Sequence, residues 1–79
     1  MKGSELMLND IISKKLKGLR AENSMTLDDV AKHLNIHRET LRRYENNPLK
    51  MDMDTYVKLL NLYKKDVSIF FEEVYGKMS

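Results

Sequence analysis

The chain has 79 residues, with 14 Lys and Arg against 12 Asp and Glu, and a net charge of +2 when both His are neutral. This length corresponds to one domain, and we expect residues 1–79 to form it. The absence of Cys excludes a disulfide scaffold, a Cys-based zinc finger and a thiol nucleophile. A hydrophobic share of 42% excludes a disordered chain, and one Pro with three Gly leaves few turn residues for a sheet. The composition therefore predicts an all-α domain.

The sequence shows no candidate membrane span. Its longest strongly apolar run, residues 67–71, is far shorter than the roughly 20 residues that a span needs. The apolar residues near the start, 6–8, are too few and too soon followed by a charge for a signal peptide. We therefore expect a cytoplasmic protein that does not contact a membrane.

The first predicted helix carries one apolar stripe. Its members recur at spacings of four, four and three, and they are Leu8, Ile12, Leu16 and Leu19. Ser4 and Asn9 are both suitable N-caps, so the helix is expected to begin at one of them. The lysines of residues 14–17 lie on the other side. Asn23 tolerates the left-handed conformation and is expected to end the helix.

A second short helix is predicted from its capping residues. Thr26 can accept a hydrogen bond from the amide of Asp29, and the Asp29 side chain can bond back to Thr26. The buried face comprises Leu27, Val30, Ala31 and Leu34. Asn35 is the expected turn residue, since Asn adopts unusual backbone angles readily.

A third short helix is predicted from Arg38 to Glu45, and Asn46-Asn47-Pro48 ends it. The small side chain of Ala31 allows a second helix to cross closely, while Ile36 and Leu41 fill the corner between the two. This arrangement presents the start of the third helix outward. The charge pattern also indicates a surface that faces a polyanion, because residues 32–50 carry a local charge of +3. A helix of this kind fits the major groove of B-DNA.

Two further helices are predicted after Pro48. The fourth is capped by Asp52 or Asp54, and its expected inner face comprises Met53, Tyr56, Leu59, Leu60 and Tyr63. Residues 64–66 form a polar connector. Ser68 is expected to cap the fifth helix, whose apolar residues are Ile69, Phe70, Phe71, Val74 and Tyr75. Neighbouring Phe residues point about 100° apart on a helix, so both can hardly face one small core. One of them is a candidate for contact with a partner.

The run from Thr26 to Asn46 resembles the helix-turn-helix of the phage Cro and repressor proteins, the XRE family. Positions that match the family pattern are Val30, Ala31, Leu34, Ile36, Thr40, Leu41, Glu45 and Asn46. The resemblance covers about residues 12–75. It departs from the pattern at Leu27, where Gln is common, and at His37, where Ser or Thr is usual. It implies a lambda-repressor-like, compact bundle of about five short helices, with the helix-turn-helix proper at about residues 26–46.

The resemblance also implies a function and a set of site residues. Residues at the family's base-reading positions are Arg38, Glu39 and Arg43. The expected phosphate-binding residues are His37, Thr40, Arg42, Asn46, Asn47 and Lys50. Arg20 and Glu45 are expected to form a salt bridge that orients the third helix. The implied protein is a sequence-specific transcriptional regulator on double-stranded DNA in a bacterial cell or phage-infected host. It would be a Cro-like repressor that binds a palindromic operator as a homodimer.

An alternative is a protein-interaction module of the same fold, similar to an antirepressor or an antitoxin. It would act through the apolar C-terminal segment, about residues 67–76. In either case we expect Phe70, Phe71 and Tyr75 to contact a second copy or a partner. The sequence supports no enzyme, because it contains no recognisable Ser-His-acid set. His33 and His37 have a zinc-like spacing but no evident third ligand, so no metal, cofactor or small-molecule ligand is expected.

Overall fold

The computed structural model describes residues 2–78, and the helices of this part form an all-α bundle. The elements are α1 (Lys2–Glu22), α2 (Leu27–Leu34), α3 (Arg38–Asn46), a 3-10 turn (Pro48–Lys50), α4 (Met53–Leu62) and α5 (Val67–Met78). Helix α1 packs against α3 and α5, and α2 packs against α3 and α4. None of the described helices has the length and apolar character needed to cross a membrane.

All five helices contribute to one hydrophobic core. The side chains that are completely buried include Leu16 of α1, Val30 of α2, Leu41 of α3, Leu59 and Leu60 of α4, and Phe70 of α5. Burying a side chain of this size contributes about 1.5–3 kcal/mol. Because Leu41 lies in the middle of α3, the core fixes one face of this helix and leaves the opposite face to solvent.

The ends of α1 differ from the prediction. The helix already includes Ser4 and Asn9, so neither residue caps it. An Asn inside a helix costs only about 0.7 kcal/mol relative to Ala, which long-range contacts readily offset. At the other end Ser24, not Asn23, has the left-handed backbone, with φ 53°. The Asn23 side-chain amide instead donates to the Leu19 carbonyl at 2.8 Å.

The boundaries of α2 follow the prediction. The Asp29 amide donates to Thr26 Oγ1 at 3.1 Å, and the Thr26 amide donates to Asp29 Oδ2 at 2.9 Å. The second of these bonds is the main reason why the pKa of Asp29 is lowered. Asn35 ends the helix in the left-handed conformation, with φ 56°. The two short helices are therefore joined through a turn set by local chemistry.

The connection from α3 to α4 is held by a buried tyrosine. Tyr56 Oη donates to the Pro48 carbonyl at 2.6 Å, and burial raises the pKa of Tyr56 to about 12. Asp52 caps α4 through the Thr55 amide. Met53 was predicted on the inner face of α4, but its side chain is 60% exposed. Met51, just before the helix, occupies the core instead.

Helix α5 begins one residue before the predicted cap Ser68. The cap is Asp66, whose Oδ1 accepts from the Ile69 amide at 3.0 Å. Asp66 precedes the helix, where its carboxylate can reach an amide of the first turn, whereas Ser68 already lies within that turn. Glu73 on α5 accepts hydrogen bonds from Lys15 at 2.8 Å and Lys65 at 3.1 Å, which tie α5 to α1 and to the connector before it.

Candidate nucleic-acid interface

The exposed face of α3 carries most of its charge. Leu41 and Glu45 point into the domain, with exposed fractions of 0% and 2%. The side chains on the outer face are exposed, and they are Arg38, Glu39, Arg42 and Arg43. His37 precedes the helix at the N-cap position but makes no capping hydrogen bond with its side chain. The face predicted to meet DNA is therefore accessible.

Two of the three arginines on this face are paired with carboxylates. Arg42 Nε donates to both oxygens of Glu39, at 3.0 and 3.1 Å, and Arg42 Nη2 donates to Glu39 Oε1 as well. This hydrogen bonding lowers the pKa of Glu39 and raises that of Arg42. Arg38 Nε lies 3.5 Å from Asp28 Oδ1 of α2. Within residues 2–78, Arg43 has no ion pair.

An open cleft of about 550 Å³ lies at the C-terminal end of α3. Its lining residues are Thr40, Arg42, Arg43, Tyr44, Asn46, Asn47 and Lys50. The structure thus brings together five of the six residues predicted to bind phosphate. The sixth, His37, is at the opposite end of α3. The cleft has three cationic side chains and several neutral donors, which is suitable chemistry for a phosphate diester.

Helix α1 reaches this cleft through two side chains that the sequence did not assign to the site. Lys17 Nζ donates to Asn46 Oδ1 at 2.9 Å. Asn9 Nδ2 donates to the Asn46 carbonyl at 3.2 Å, and the Leu49 amide donates to Asn9 Oδ1 at 3.3 Å. These bonds join residues about 30–40 positions apart, so no local pattern predicts them. The one available signal was a polar Asn beside the apolar stripe of α1.

The Arg20–Glu45 salt bridge is present and connects α1 with the end of α3. Arg20 Nε donates to Glu45 Oε2 at 2.8 Å, and Arg20 Nη2 donates to Glu45 Oε1 at 3.2 Å. The hydrogen bonding to Glu45 raises the pKa of the Arg20 guanidinium. Burial raises the pKa of the neighbouring Tyr63, whose hydroxyl has no hydrogen-bond partner within the described chain. The pair lies behind α3, so its geometry suits orientation of the helix.

The predicted partner-contact residues do not share one surface. Phe70 is 0% exposed and belongs to the core, so its side chain cannot contact a partner in this conformation. Phe71 is half-buried against Phe70 in an edge-to-face arrangement, with ring centroids 5.2 Å apart. Phe71 also packs against the core, so the expectation that only one of the two rings can do so is wrong. Tyr75 is 71% exposed.

Phe71 and Tyr75 line an apolar groove of about 430 Å³. The other side chains of this groove are Leu8, Ile12, Leu49, Met53, Tyr56, Val74 and Met78. It therefore combines α1, the 3-10 turn, α4 and α5. No group of three or more His, Cys, Asp or Glu within residues 2–78 is arranged to hold a metal ion.

Comparison with known proteins gave one match. Residues 16–70, more than half of the chain, match a family model described as helix-turn-helix. No curated protein and no solved structure shows a significant match. The matched part contains α2, α3, the cleft and the Arg20–Glu45 pair, so the similarity covers the outer face of α3 and the cleft at its end.

Proposed function

The chain belongs to the XRE-type helix-turn-helix family of DNA-binding transcription regulators, and from this premise we propose that it is a Cro-like repressor. In this proposal residues 1–79 act as one domain, and two copies bind a palindromic operator. The family is generally not enzymatic. Repression would follow from occupancy of the operator, which excludes competing proteins from the same DNA.

The observation that carries the proposal is the exposed, arginine-rich face of α3 beside a cleft lined with donors. An α-helix with its side chains is about 10–12 Å in diameter, which fits the major groove of about 12 Å width, and the nine residues of α3 extend over about 14 Å. In this docking mode the outer face of α3 meets the base edges, with its start deepest in the groove, and its last residue lies near the backbone.

Individual roles follow from this docking. Arg38 and Arg43 are assigned to base edges, because a guanidinium matches the two acceptors of guanine. Glu39 is assigned to a base amino group, since a carboxylate can only accept. The assigned phosphate contacts are His37, Thr40, Arg42, Asn46, Asn47 and Lys50. Glu39 already binds Arg42 in the DNA-free protein, so its base contact requires this pair to open or to share the carboxylate.

The dimer is proposed because one α3 offers few base contacts. A twofold dimer doubles them and matches a palindromic site. Phe71 and Tyr75 supply apolar surface for this contact, in the segment of about residues 67–76. Phe70 is no longer part of the proposed interface, because it is buried within its own domain.

The test is selection of bound sequences from a random DNA library with the full chain. We expect an enriched inverted repeat whose half-site centres are about 10 base pairs apart. Inserting five base pairs between the half-sites should then weaken binding, because it turns the second half-site to the opposite face of the duplex. Failure to enrich any sequence would contradict the proposal, and equal binding to both spacings would contradict the dimer.

A second candidate function is a protein-interaction module, and the apolar groove favours it. Three large side chains that line this groove are exposed: Leu49, Met53 and Tyr75. Such a module would be antirepressor-like or antitoxin-like, would bind a partner protein through its apolar C-terminal helix, and would use DNA weakly or not at all. The selection experiment separates the two functions, because only a DNA-binding regulator enriches a defined site.

A further inference from the structure

Two amide side chains at the end of α3 are held by donors from elsewhere in the chain. Lys17 Nζ donates to Asn46 Oδ1 at 2.9 Å, and Asn9 Nδ2 lies 3.5 Å from Asn47 Oδ1. Asn9 is itself fixed, since its nitrogen donates to the Asn46 carbonyl and its oxygen accepts from the Leu49 amide. Both amide oxygens in the cleft are therefore occupied.

The amino groups of the same two amides make no hydrogen bond within residues 2–78. Both residues line the cleft that also contains Arg42, Arg43 and Lys50. An asparagine amide can present either its oxygen or its nitrogen, whereas a phosphate oxygen only accepts. An Asn that contacts DNA backbone must therefore present its nitrogen. Donors bound to the two oxygens select this orientation before DNA arrives.

We propose that Lys17 and Asn9 of α1 are positioning residues that orient the amides of Asn46 and Asn47 to donate to a DNA phosphate. The proposal rests on the proposed function and extends it to a helix outside the helix-turn-helix. Lys17 acts through the side chain of Asn46. Asn9 acts through the Asn46 carbonyl, the Asn47 side chain and the Leu49 amide. Because a phosphate contact carries no base information, their effect on binding is the same for every base sequence.

The test is a double-mutant cycle with Lys17→Met and Asn46→Ala in the full chain, using the selected DNA site. Each single variant should weaken binding by about three- to tenfold, with the order of base preferences unchanged. In the double variant, adding Lys17→Met to Asn46→Ala should weaken binding no more than the control Lys14→Met does, because Lys17 has nothing left to orient. Lys17→Arg keeps a donor at this position and should restore most of the affinity.

The control is Lys14→Met, which removes the same charge from α1. Lys14 is exposed and pairs with Asp10 at 3.2 Å, and it does not line the cleft. This variant reports the general effect of one lost cation on attraction to DNA. A Lys17→Met loss no larger than that of the control would overturn the proposal. The full Lys17→Met loss persisting in the Asn46→Ala background would also overturn it, since Lys17 would then bind DNA independently.

Phosphate ethylation provides a readout that a purely structural role would not change. Ethylation of one phosphate per half-site should interfere with binding of the native chain but no longer with Lys17→Met or Asn46→Ala. The proposal would be contradicted if the two variants lost the interference at different phosphates. A native chain without any preferred DNA site would overturn the proposed function as well, so the two failures are distinguishable.

Discussion

Replacement of Glu45 by Gln tests whether the Arg20–Glu45 pair supports the fold and the orientation of α3. Glu45 is 2% exposed, whereas the Arg20 side chain is 22% exposed. Breaking a fully buried pair costs about 3–5 kcal/mol. Gln keeps one acceptor oxygen, and Arg20 also donates to the Met25 carbonyl at 3.3 Å, so we expect a loss of about 2–3 kcal/mol. For a domain of this size the melting temperature should fall by about 10–20 °C.

The assay is thermal unfolding followed by circular dichroism at neutral pH. The control is Asp54→Asn, which breaks an exposed pair with Lys58 at 3.0 Å and should cost about 0.5 kcal/mol or less. Well below its melting temperature, Glu45→Gln should weaken binding to all DNA sequences by one common factor. Similar melting temperatures for the two variants would refute the assigned stability role. A changed base preference would show instead that Glu45 reads DNA.

Four further variants test the helix-turn-helix and the contact between α1 and α5. Arg38→Ala should relax preference at one base pair of each half-site in a single-base binding profile, whereas Arg42→Ala should weaken all sequences and lower the salt slope by about one. Thr26→Ala removes the α2 cap and should cost about 1 kcal/mol in denaturant unfolding. Hydrogen bonds from two lysines lower the pKa of Glu73 to about 2, below its value of about 4.3 in the unfolded chain. Its contribution to stability is therefore complete above about pH 5 and lost as the pH falls towards 2, and Glu73→Gln should remove this dependence from acid titrations.

The helix-turn-helix could be predicted because its determinants are local. Thr26 and Asp29 satisfy each other within one turn, and Asn35 adopts the left-handed angle that the turn requires. The start of α5 was predicted wrongly because two candidate caps lie close together, Asp66 before the helix and Ser68 within its first turn. Local chemistry does not distinguish two such candidates, because the choice depends on where the helix packs.

The candidate site was less predictable than the fold. The exposed positions on α3 follow from the helical period around the buried Leu41. The contacts from α1 do not, because they depend on how α1 crosses the end of α3, and residue spacing does not determine this. The Glu39–Arg42 pair lies at a spacing of three, so its formation was foreseeable from the sequence. The spacing alone does not show that Glu39, a candidate base-reading residue, is already bound to Arg42 before DNA binds.

Asp28 is an acidic residue on the predicted DNA-facing side of the domain, and its role is testable. Its carboxylate lies 3.5 Å from Arg38 Nε, so it faces the start of α3. An anion there repels phosphates and competes with DNA for Arg38, whichever sequence is bound. This cost is the same for every complex in which Arg38 leaves Asp28 to contact DNA. Asp28 should therefore lower the affinity for DNA of any sequence without changing the order of base preferences.

We expect Asp28→Asn to strengthen binding to the selected site and to non-cognate DNA by about two- to fivefold, the range for loss of an exposed ion pair. The order of base preferences should stay unchanged. The matched control is Glu72→Gln, which removes the same charge from the exposed side of α5. Both affinities are measured by titration at one fixed salt concentration, because non-specific binding varies steeply with salt. If the control strengthens binding as much as Asp28→Asn does, the effect is one of net charge alone, and the assigned competition between Asp28 and DNA for Arg38 is wrong.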